Sequence, residues 1–269
     1  MRILKIIFVS GLLLGPAFPL ASAPVSSPLF DKPLQEKHVP LPKDPDNPQS
    51  KPMLSCFYYP HFMVKQVDLG ELGAEQLSIL PVSKGQAAPP CRRANAKDEM
   101  VIDAREWSGY FKGVKNDFVF FDADDGVNGG SGFAVFSGAD GGKIFEDIAK
   151  SDLRSVALIA PGPQSGPNSD SASAILLRYR RVYEAPCSLR ADQKNCWNSI
   201  EQVTGLADIA PPNCDAAYQA EEKKSPANAR ETALDPSVIT YEVEVVLDSR
   251  DTAMRVTPTS KAVECYPAD

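Results

Sequence analysis

Three aspartates and an asparagine crowd a glycine-rich stretch, FFDADDGVNGGSGFAVF, at residues 120–136. Asp122, Asp124, Asp125 and Asn128 offer hard oxygen ligands on a bending backbone, and calcium accepts irregular shells of such oxygens. Neither EF-hand register places every oxygen ligand and the required glycine correctly. The same residue types are also the ordinary constituents of turns. The stretch therefore predicts either a calcium site, with calcium the only cofactor indicated, or a turn between two core strands.

Histidine chemistry would depend on a single residue. The chain has two histidines, His38 and His61, and His38 lies in a proline-rich segment. Any Ser-His-Asp or Cys-His mechanism would therefore use His61, which stands beside Tyr58 and Tyr59. Because no second or third member of such a triad is visible, a histidine in an ordinary turn is the competing interpretation.

A pair of carboxylates offers chemistry that needs no histidine. Asp103 and Glu106 precede Trp107, and aromatic side chains often line sugar-binding sites. Most glycoside hydrolases use two carboxylates, whose separation defines the mechanism. Asp103 and Glu106 are therefore the catalytic candidates for a hydrolase, although any acidic protein offers such pairs.

The cysteines indicate an oxidising compartment. Six cysteines are present, an even number, and we expect three disulfides. Six cysteines allow 15 pairings, among which sequence alone does not choose. We hypothesise the pairs Cys56–Cys91, Cys187–Cys196 and Cys214–Cys265. A zinc site is disfavoured, because the chain has no C-x2-C spacing and no histidine pair near the cysteines.

The first 23 residues have the pattern of a secretory signal peptide. Arg2 and Lys5 form a basic region, residues 6–14 are apolar, and residues 21–23 match a signal-peptidase site. The apolar run is shorter than the ~20 residues of a membrane span, so we expect no span after cleavage. The predicted location is periplasmic or extracellular.

Removal of that segment leaves a strongly acidic protein. The chain has 28 basic and 35 acidic residues. Residues 1–23 contain two of the basic residues and no acidic residue, so the mature chain has 26 against 35, a net charge of −9. Binding to nucleic acid needs clustered positive charge, so nucleic acid is not an expected partner. An unidentified protein or small molecule is the expected ligand.

Two regions follow the signal segment. Residues 24–52 contain eight prolines and almost no apolar periodicity, which predicts a flexible, extended arm. Residues 53–269 predict a single folded domain.

Short apolar runs separated by Gly, Asp and Asn fill the first two-thirds of that domain, which is typical of antiparallel meanders. Residues 118–121 and 133–136 are apolar on both faces and predict central strands. Residues 238–250 alternate most clearly between apolar and polar, which predicts a half-buried strand. A short strand near residues 254–258 would complete a hairpin with it.

Helical patterns appear near the C-terminal third. Residues 197–205 show helical spacing and end on a glycine. Asn213 is a predicted N-cap for a second helix, and Ser225-Pro226 could open a third. The predicted fold class is α+β, mostly antiparallel β-sheet with two or three short inserted helices, stabilised by disulfides.

One segment has a local resemblance. Residues 132–147, GFAVFSGADGGKIFED, resemble a single blade hairpin of a quinoprotein-type β-propeller, with a strand, an Asp-Gly turn, a lysine and a second strand. A propeller needs at least four such blades, and the sequence has no second copy. The resemblance predicts a hairpin at these residues and nothing about the rest of the chain.

Charged residues alternate on two of the predicted strands. Arg178 and Arg180 share one strand face, and Glu242 and Glu244 share a face of another. Cross-strand ion pairing on the solvent side of one sheet is the favoured interpretation. The alternative is that the arginines bind an anionic partner.

These observations predict an exported binding or interaction protein whose ligand the sequence does not name. The reasoning is partly negative, since catalytic residue types are scarce. A secreted, carboxylate-dependent hydrolase acting on carbohydrate or cell wall is the first alternative. A calcium-stabilised structural module is the second.

Overall fold

The structure of the protein is a computed structural model, and it describes residues 28–83, 85, 87–159, 174–224, 226–248 and 255–268. The predicted signal segment and Ser225 lie outside the described residues, as do residues 162–173, whose Gly, Pro, Ser and Asn content predicts a loop. The first strands along the chain are β1 (Gln35–Pro40), β2 (Met53–Tyr58), β3 (Phe62–Asp68), β4 (Gln76–Pro81), β5 (Met100–Val101), β6 (Gly109–Lys115) and β7 (Phe118–Val127). They are followed by β8 (Gly130–Ser137), β9 (Lys143–Ala149), β10 (Ser155–Ile159), β11 (Ala174–Glu184), β12 (Ser237–Asp248), β13 (Arg255–Pro258) and β14 (Glu264–Pro267).

The strands form two antiparallel sheets. The first sheet has the order β1-β2-β3-β4-β5, and the second has the order β13-β12-β11-β9-β8-β7-β6. Strand β10 pairs with β11, and β14 pairs with β12. Neighbours in sequence are mostly neighbours in space, as the short spacing between apolar runs predicted. The hairpin of β12 and β13 is also confirmed.

One hydrophobic cluster joins the two sheets. Phe121 and Phe136 from the second sheet lie with Phe62, Val64 and Ile79 from the first, all nearly inaccessible to solvent. The opposite face of β7 and β8, which carries Phe120, Phe133 and Val135, is equally buried. Both strands are therefore covered on each side, as their continuous apolar runs predicted.

We call this opposite face of the second sheet the inner face, because helices and connecting segments cover it. Its residues on β11 and β12 include Leu177, Tyr179 and Val243, which are buried. Trp197 and Ile200 of helix α1 (Gln193–Thr204) belong to the same cluster. The inner face is therefore the main core of the protein.

The helices begin and end near the residues that the sequence indicated. Gly205 has φ 72° at the end of α1, and its N–H donates to the carbonyl of Glu201, which is the left-handed cap that glycine permits. The side chain of Asn213 accepts the N–H of Asp215 at 2.9 Å at the start of α2 (Asp215–Lys224). A 3-10 turn at residues 226–228 precedes the single-turn helix α3 (Ala229–Thr232).

All three hypothesised disulfides are present. The bonded pairs are Cys56–Cys91, Cys187–Cys196 and Cys214–Cys265. The longest helix in the described ranges has 12 residues, and none there combines the length and apolar character that crossing a bilayer requires.

The cross-strand charge pairs also form. Arg178 lies opposite Glu244 and Arg180 opposite Glu242 in the register of β11 and β12. The Arg178 Nε to Glu244 Oε1 distance is 2.6 Å, and Arg180 lies 2.8 Å from Glu264 on β14. These contacts agree with the ion-pairing interpretation rather than with free arginines.

The proline-rich segment differs from its predicted independence. Residues 35–40 are extended as β1, and the described part of the segment is attached to both sheets, so the folded unit begins well before Met53. Strand β1 pairs with β2 over its whole length. Upstream of it, the Asp31 N–H donates to the Val114 carbonyl at 2.7 Å, and the Asp31 carboxylate accepts the Asn116 N–H at 2.6 Å.

This attachment leaves little signal in the sequence, because one aromatic ring anchors it and the rest of its pairing uses backbone groups. The Phe30 ring reaches the main core and lies 5.1 Å, centroid to centroid, from the ring of Phe120. All six side chains of β1 are exposed, so its pairing uses backbone groups and leaves no apolar periodicity to detect. We call residues 28–40 the N-terminal clasp, because they contact the first sheet and the second sheet in turn.

A long connection covers the outer face of the first sheet. Cys91 and Ala96 of this connection pack against the cluster of Leu54, Tyr58 and Leu80, and the Cys56–Cys91 disulfide joins the connection to β2. Lys65 of β3 lies under this cover and is paired there with Glu99, at an Nζ to Oε1 distance of 2.5 Å.

Candidate functional site

The glycine-rich acidic stretch is a β-hairpin. Strands β7 and β8 pair from Phe118 opposite Ser137 to Val127 opposite Gly130, with an irregularity between Asp122 and Gly126. The turn is Asn128-Gly129, and both residues have positive φ, 50° and 64°. Asn-Gly with two positive φ values is the turn that matches the twist of a two-residue hairpin.

The four calcium candidates occupy different surroundings. Asp122 is paired with Lys112 at 2.7 Å, Asp124 accepts a hydrogen bond from Ser108 at 3.0 Å, and Asp125 is exposed. Asn128 is buried and donates to Glu184 at 2.6 Å. Among the described residues, no three His, Cys, Asp or Glu side chains gather as a metal site requires. The structure therefore does not bring the four candidates together.

The turn is fixed to the far end of the second sheet. The Tyr266 hydroxyl donates to the Asn128 carbonyl at 2.8 Å, and Lys150 donates to the same hydroxyl at 2.9 Å. Replacing Asn128 by alanine should therefore destabilise the protein by about 2 kcal/mol, from the lost amide contact and the strained left-handed backbone.

Two matched variants separate these causes, with urea unfolding as the measurement. Asn128→Gly removes the amide but tolerates positive φ, so its loss should be smaller than that of Asn128→Ala. Asp125→Ala, at an exposed neighbouring position, should change stability by less than 0.5 kcal/mol. Equal losses for Asn128→Ala and Asp125→Ala would contradict the assigned role of this turn.

The histidine candidate has no triad partner among the residues that the structure describes. His61 is exposed in the β2–β3 turn, where its carbonyl accepts the N–H of Val82 at 2.7 Å. Tyr58 and Tyr59 are buried nearby and line a shallow pocket. Burial, and then the negative charges of Glu36 and Asp31, raise the pKa of Tyr59, so its phenol stays protonated.

The predicted carboxylate pair is open to solvent. Asp103 and Glu106 are both exposed, and Asp103 is paired with Arg105 at 2.5 Å. Hydrogen bonds from the Arg105 side chain and backbone lower the pKa of Asp103. A general acid needs its pKa raised, so the arrangement does not prepare Asp103 to donate a proton at neutral pH.

A different group of polar side chains lies on the inner face, where the inward positions of β7, β9 and β11 change from apolar to polar toward the same end of the sheet. On β7 the inward residues run from Phe120 to Asp122, and on β9 from Phe145 to Asp147. On β11 they run from Leu177 through Tyr179 to Arg181, and Tyr241 of β12 lies opposite Arg181. We call this group the polar layer; its members are Lys112, Asp122, Asp147, Tyr179, Arg181 and Tyr241.

Hydrogen bonds join one half of the polar layer. The Tyr179 hydroxyl donates to Asp147 at 2.5 Å, and Arg181 Nε donates to the same carboxylate at 3.0 Å. Arg181 also donates to the Tyr241 hydroxyl at 3.2 Å. Burial, followed by the charge of Asp147, raises the pKa of Tyr179, so its phenol remains a donor. Burial opposes the charge on Arg181, but Asp147 offsets this and the pKa of Arg181 is raised.

The other half of the polar layer surrounds a cavity. Lys112 donates to both oxygens of Asp122, at 2.7 and 2.9 Å, and lies 3.1 Å from Asp152. These side chains, with Ser131 and Ser151, line a cavity of about 310 Å³ that we call the inner-face cavity. Neither serine hydroxyl donates to or accepts from another described residue. The cavity therefore offers an ammonium, carboxylates and free hydroxyls to a small polar molecule.

One aromatic ring stands between the two halves. Phe133 lines the inner-face cavity and lies opposite Asp122 on one side and Asp147 on the other. Neighbouring strands are about 4.8 Å apart, so the Cα atoms of the two aspartates are about 10 Å apart. The Phe133 ring also contacts the Tyr179 ring at a centroid distance of 5.2 Å, which links the cavity to the hydrogen-bonded half.

Only Asp122 of the polar layer was a candidate from sequence. The signal that points to it is the change from phenylalanine to aspartate at alternate positions of one strand. Asp147, Arg181 and Tyr241 come from three other strands, and the register that aligns them is set by tertiary structure.

Comparison of the chain with protein-family models, with curated proteins and with solved structures finds no match. The function is therefore argued from the chain's own geometry.

Proposed function

We propose that this protein is an exported binding protein and that the inner-face cavity holds a small polar ligand. The observation that carries the proposal is the replacement of apolar by charged and phenolic side chains at one end of the inner face. Charges taken out of water cost several kcal/mol before their attraction offsets that cost. An arrangement chosen for stability alone would continue the apolar pattern of Phe120, Phe145 and Leu177.

Export is supported by two independent features. Residues 1–23 have the charge, length and small-residue pattern of a cleaved signal peptide. All six cysteines form disulfides, which persist in the periplasm and outside the cell and are rare in reducing compartments.

The composition of the inner-face cavity limits the ligand. A volume of about 310 Å³ lies at the lower end of typical small-molecule pockets. Lys112, Asp122 and the two serines supply both donors and acceptors, so the matching chemistry is a small hydroxylated or zwitterionic molecule, such as a monosaccharide or an amino acid.

A ligand panel tests the proposal. We expect at least one compound among amino acids, monosaccharides, disaccharides and small organic acids to raise the melting temperature of the mature protein. Saturation at ~100 times Kd stabilises a protein by about 2.7 kcal/mol, which is about 5–10 °C for a domain of this size. Ser131→Trp, which fills the cavity, should abolish that shift.

The control is Ser199→Trp, which introduces the same ring on the exposed side of α1 and should retain the full shift. A panel without any stabilising compound, or a shift that survives Ser131→Trp, would count against the inner-face cavity as the binding site.

A hydrolase acting on carbohydrate or cell wall is the second candidate, on a carboxylate pair other than Asp103 and Glu106. The observation in its favour is that Asp122 lines the inner-face cavity and Asp147 lies on the other side of Phe133, one strand further along the sheet. Turnover of a glycan that is lost in both Asp122→Asn and Asp147→Asn would favour the hydrolase. Binding without turnover would favour the binding protein.

A further inference from the structure

Strand β1 is the last strand of the first sheet, and no other described strand pairs with its outer edge. The Leu41 N–H donates to the Pro52 carbonyl at 3.0 Å, which places the odd-numbered residues of β1 toward β2, since antiparallel pairing alternates. Glu36 and His38 therefore direct their backbone N–H and C=O groups away from the sheet. Pro40 occupies the third outward position, where a missing N–H costs nothing.

An apolar pocket lies at the start of this edge. Leu34, Tyr58, Tyr59, Val82 and Pro89 are among the side chains around a volume of about 440 Å³, which we call the edge pocket. Leu34 is 73% exposed, an unusual degree for a leucine beside a pocket. None of the described segments of the chain binds in the edge pocket. The edge pocket and the inner-face cavity have no lining residue in common.

The wall of the edge pocket is held in place before any ligand arrives. The Tyr58 hydroxyl donates to the Pro89 carbonyl at 2.9 Å, and the Cys56–Cys91 disulfide joins the same two segments. A preformed site loses less conformational entropy on binding.

The two features together match one kind of occupant. Outward N–H and C=O groups in alternation are complementary to the backbone of an extended polypeptide, and a neighbouring pocket takes one of its side chains. Pro33 and Pro40 limit the free edge to a few residues, which suits a short segment better than long edge-to-edge pairing with a second copy.

We propose that the free edge of β1 and the edge pocket together bind a short, extended peptide segment of a partner protein. Backbone hydrogen bonds form with Glu36 and His38, and an apolar side chain of the segment enters the edge pocket. This activity is separate from the inner-face cavity and does not depend on a ligand there.

The test uses a phage-displayed library of linear random peptides selected on the immobilised mature protein. Fluorescence polarisation then gives Kd for the selected peptides. His38→Pro and His38→Ala both remove the imidazole, but only proline also removes the outward N–H. We expect His38→Pro to weaken binding on the order of tenfold relative to His38→Ala, since an unpaired carbonyl is left on the peptide.

A second pair of variants tests the edge pocket. Leu34→Asp should weaken binding at least on the order of tenfold, because it places a charge against the apolar side chain of the peptide. Leu72→Asp changes a leucine that is 71% exposed elsewhere and should leave Kd unchanged. Melting temperatures close to that of the wild type would show that the four variants remain folded.

Three results would overturn the proposal. The first is a selection that enriches no peptide, and the second is equal affinity of His38→Pro and His38→Ala. The third is a wild-type dimer in sedimentation that His38→Pro dissociates, because a second copy would then be the occupant of the edge.

Discussion

Replacing Lys65 by methionine is expected to lower the free energy of unfolding by about 3–5 kcal/mol, as is replacing Glu99 by glutamine. The two side chains are 1% and 2% exposed. Lys65 also approaches Asn95, and Glu99 accepts from Ser78 and from the Ala96 N–H at 2.5 and 2.8 Å. Either single change leaves one buried charge without its partner.

The double variant Lys65→Met/Glu99→Leu distinguishes a broken ion pair from lost packing. Two apolar side chains of similar volume remove both charges, so this variant should be more stable than either single variant. Urea unfolding of the wild type, Lys65→Met, Glu99→Leu and the double variant gives the coupling energy. Additive losses would mean that the ion pair itself contributes nothing.

The same pair predicts an acid dependence. Burial would raise the pKa of Glu99, but hydrogen bonds from Lys65, Ser78 and the Ala96 N–H outweigh it and lower the pKa below 4.5. A carboxyl with a lowered folded-state pKa stabilises the protein above its unfolded-state pKa, and that stability is lost as pH falls through the folded-state value. The free energy of unfolding of the wild type should therefore fall as the pH drops below about 4.5. Glu99→Gln should lose less free energy of unfolding over the same pH range.

Replacing Phe30 by alanine is expected to destabilise the protein by about 3 kcal/mol, the lower end for loss of a phenylalanine that is only partly buried. The Phe30 ring packs against Phe120 in the main core. It also fills the space above Gly113, where an added Cβ would lie 2.5 Å from Phe30 Cγ. Lys32→Ala, on an exposed neighbour in the same segment, should be nearly neutral.

Gly113 provides the internal check on this contact. Gly113→Ala should destabilise the wild type by about 1–3 kcal/mol through overpacking. In the Phe30→Ala background the same change should cost much less, because the clashing ring is gone. Strict additivity in denaturant unfolding would show that Phe30 does not occupy this position in solution.

The strands of the core could be predicted from sequence because their apolar and polar side chains follow the pattern of burial. Residues 118–121 and 133–136 are apolar at every position and form central strands. The alternating residues 238–250 predicted a half-buried strand; those that the structure describes belong to β12, which is buried throughout residues 237–241 and alternates only from Glu242 onward. The hypothesised disulfide pairs are present as well. Their pairing could not be derived from sequence, since Cys214 and Cys265 are 51 residues apart and meet only through the folded sheet.

The pairing of the N-terminal clasp could not be predicted from the sequence, and the reason is physical. Strand β1 contributes backbone hydrogen bonds while all of its side chains remain in solvent, so neither periodicity nor composition records the pairing. Eight prolines in 29 residues predicted a flexible, extended arm. Residues 35–40 are extended, but extension alone does not distinguish a free arm from an edge strand.

The candidate site shows a similar limit. Asp122 was identified for its oxygen atoms, whereas its role in the polar layer depends on Lys112, ten residues away in sequence, and on the register with β9 and β11. Charged residues on several strands form one site only when the register of the strands brings them together.

The clasp also bears on how the chain reaches its native state. Asp31 meets Asn116 across 85 positions, so the segment synthesised early can be secured only after β6 has emerged. Bringing together residues so far apart in sequence costs loop-closure entropy before the contacts stabilise the fold. Such contacts therefore form slowly. We expect docking of the clasp to be among the last folding steps, which leaves the amino-terminal end extended and accessible to other factors until the second sheet is complete.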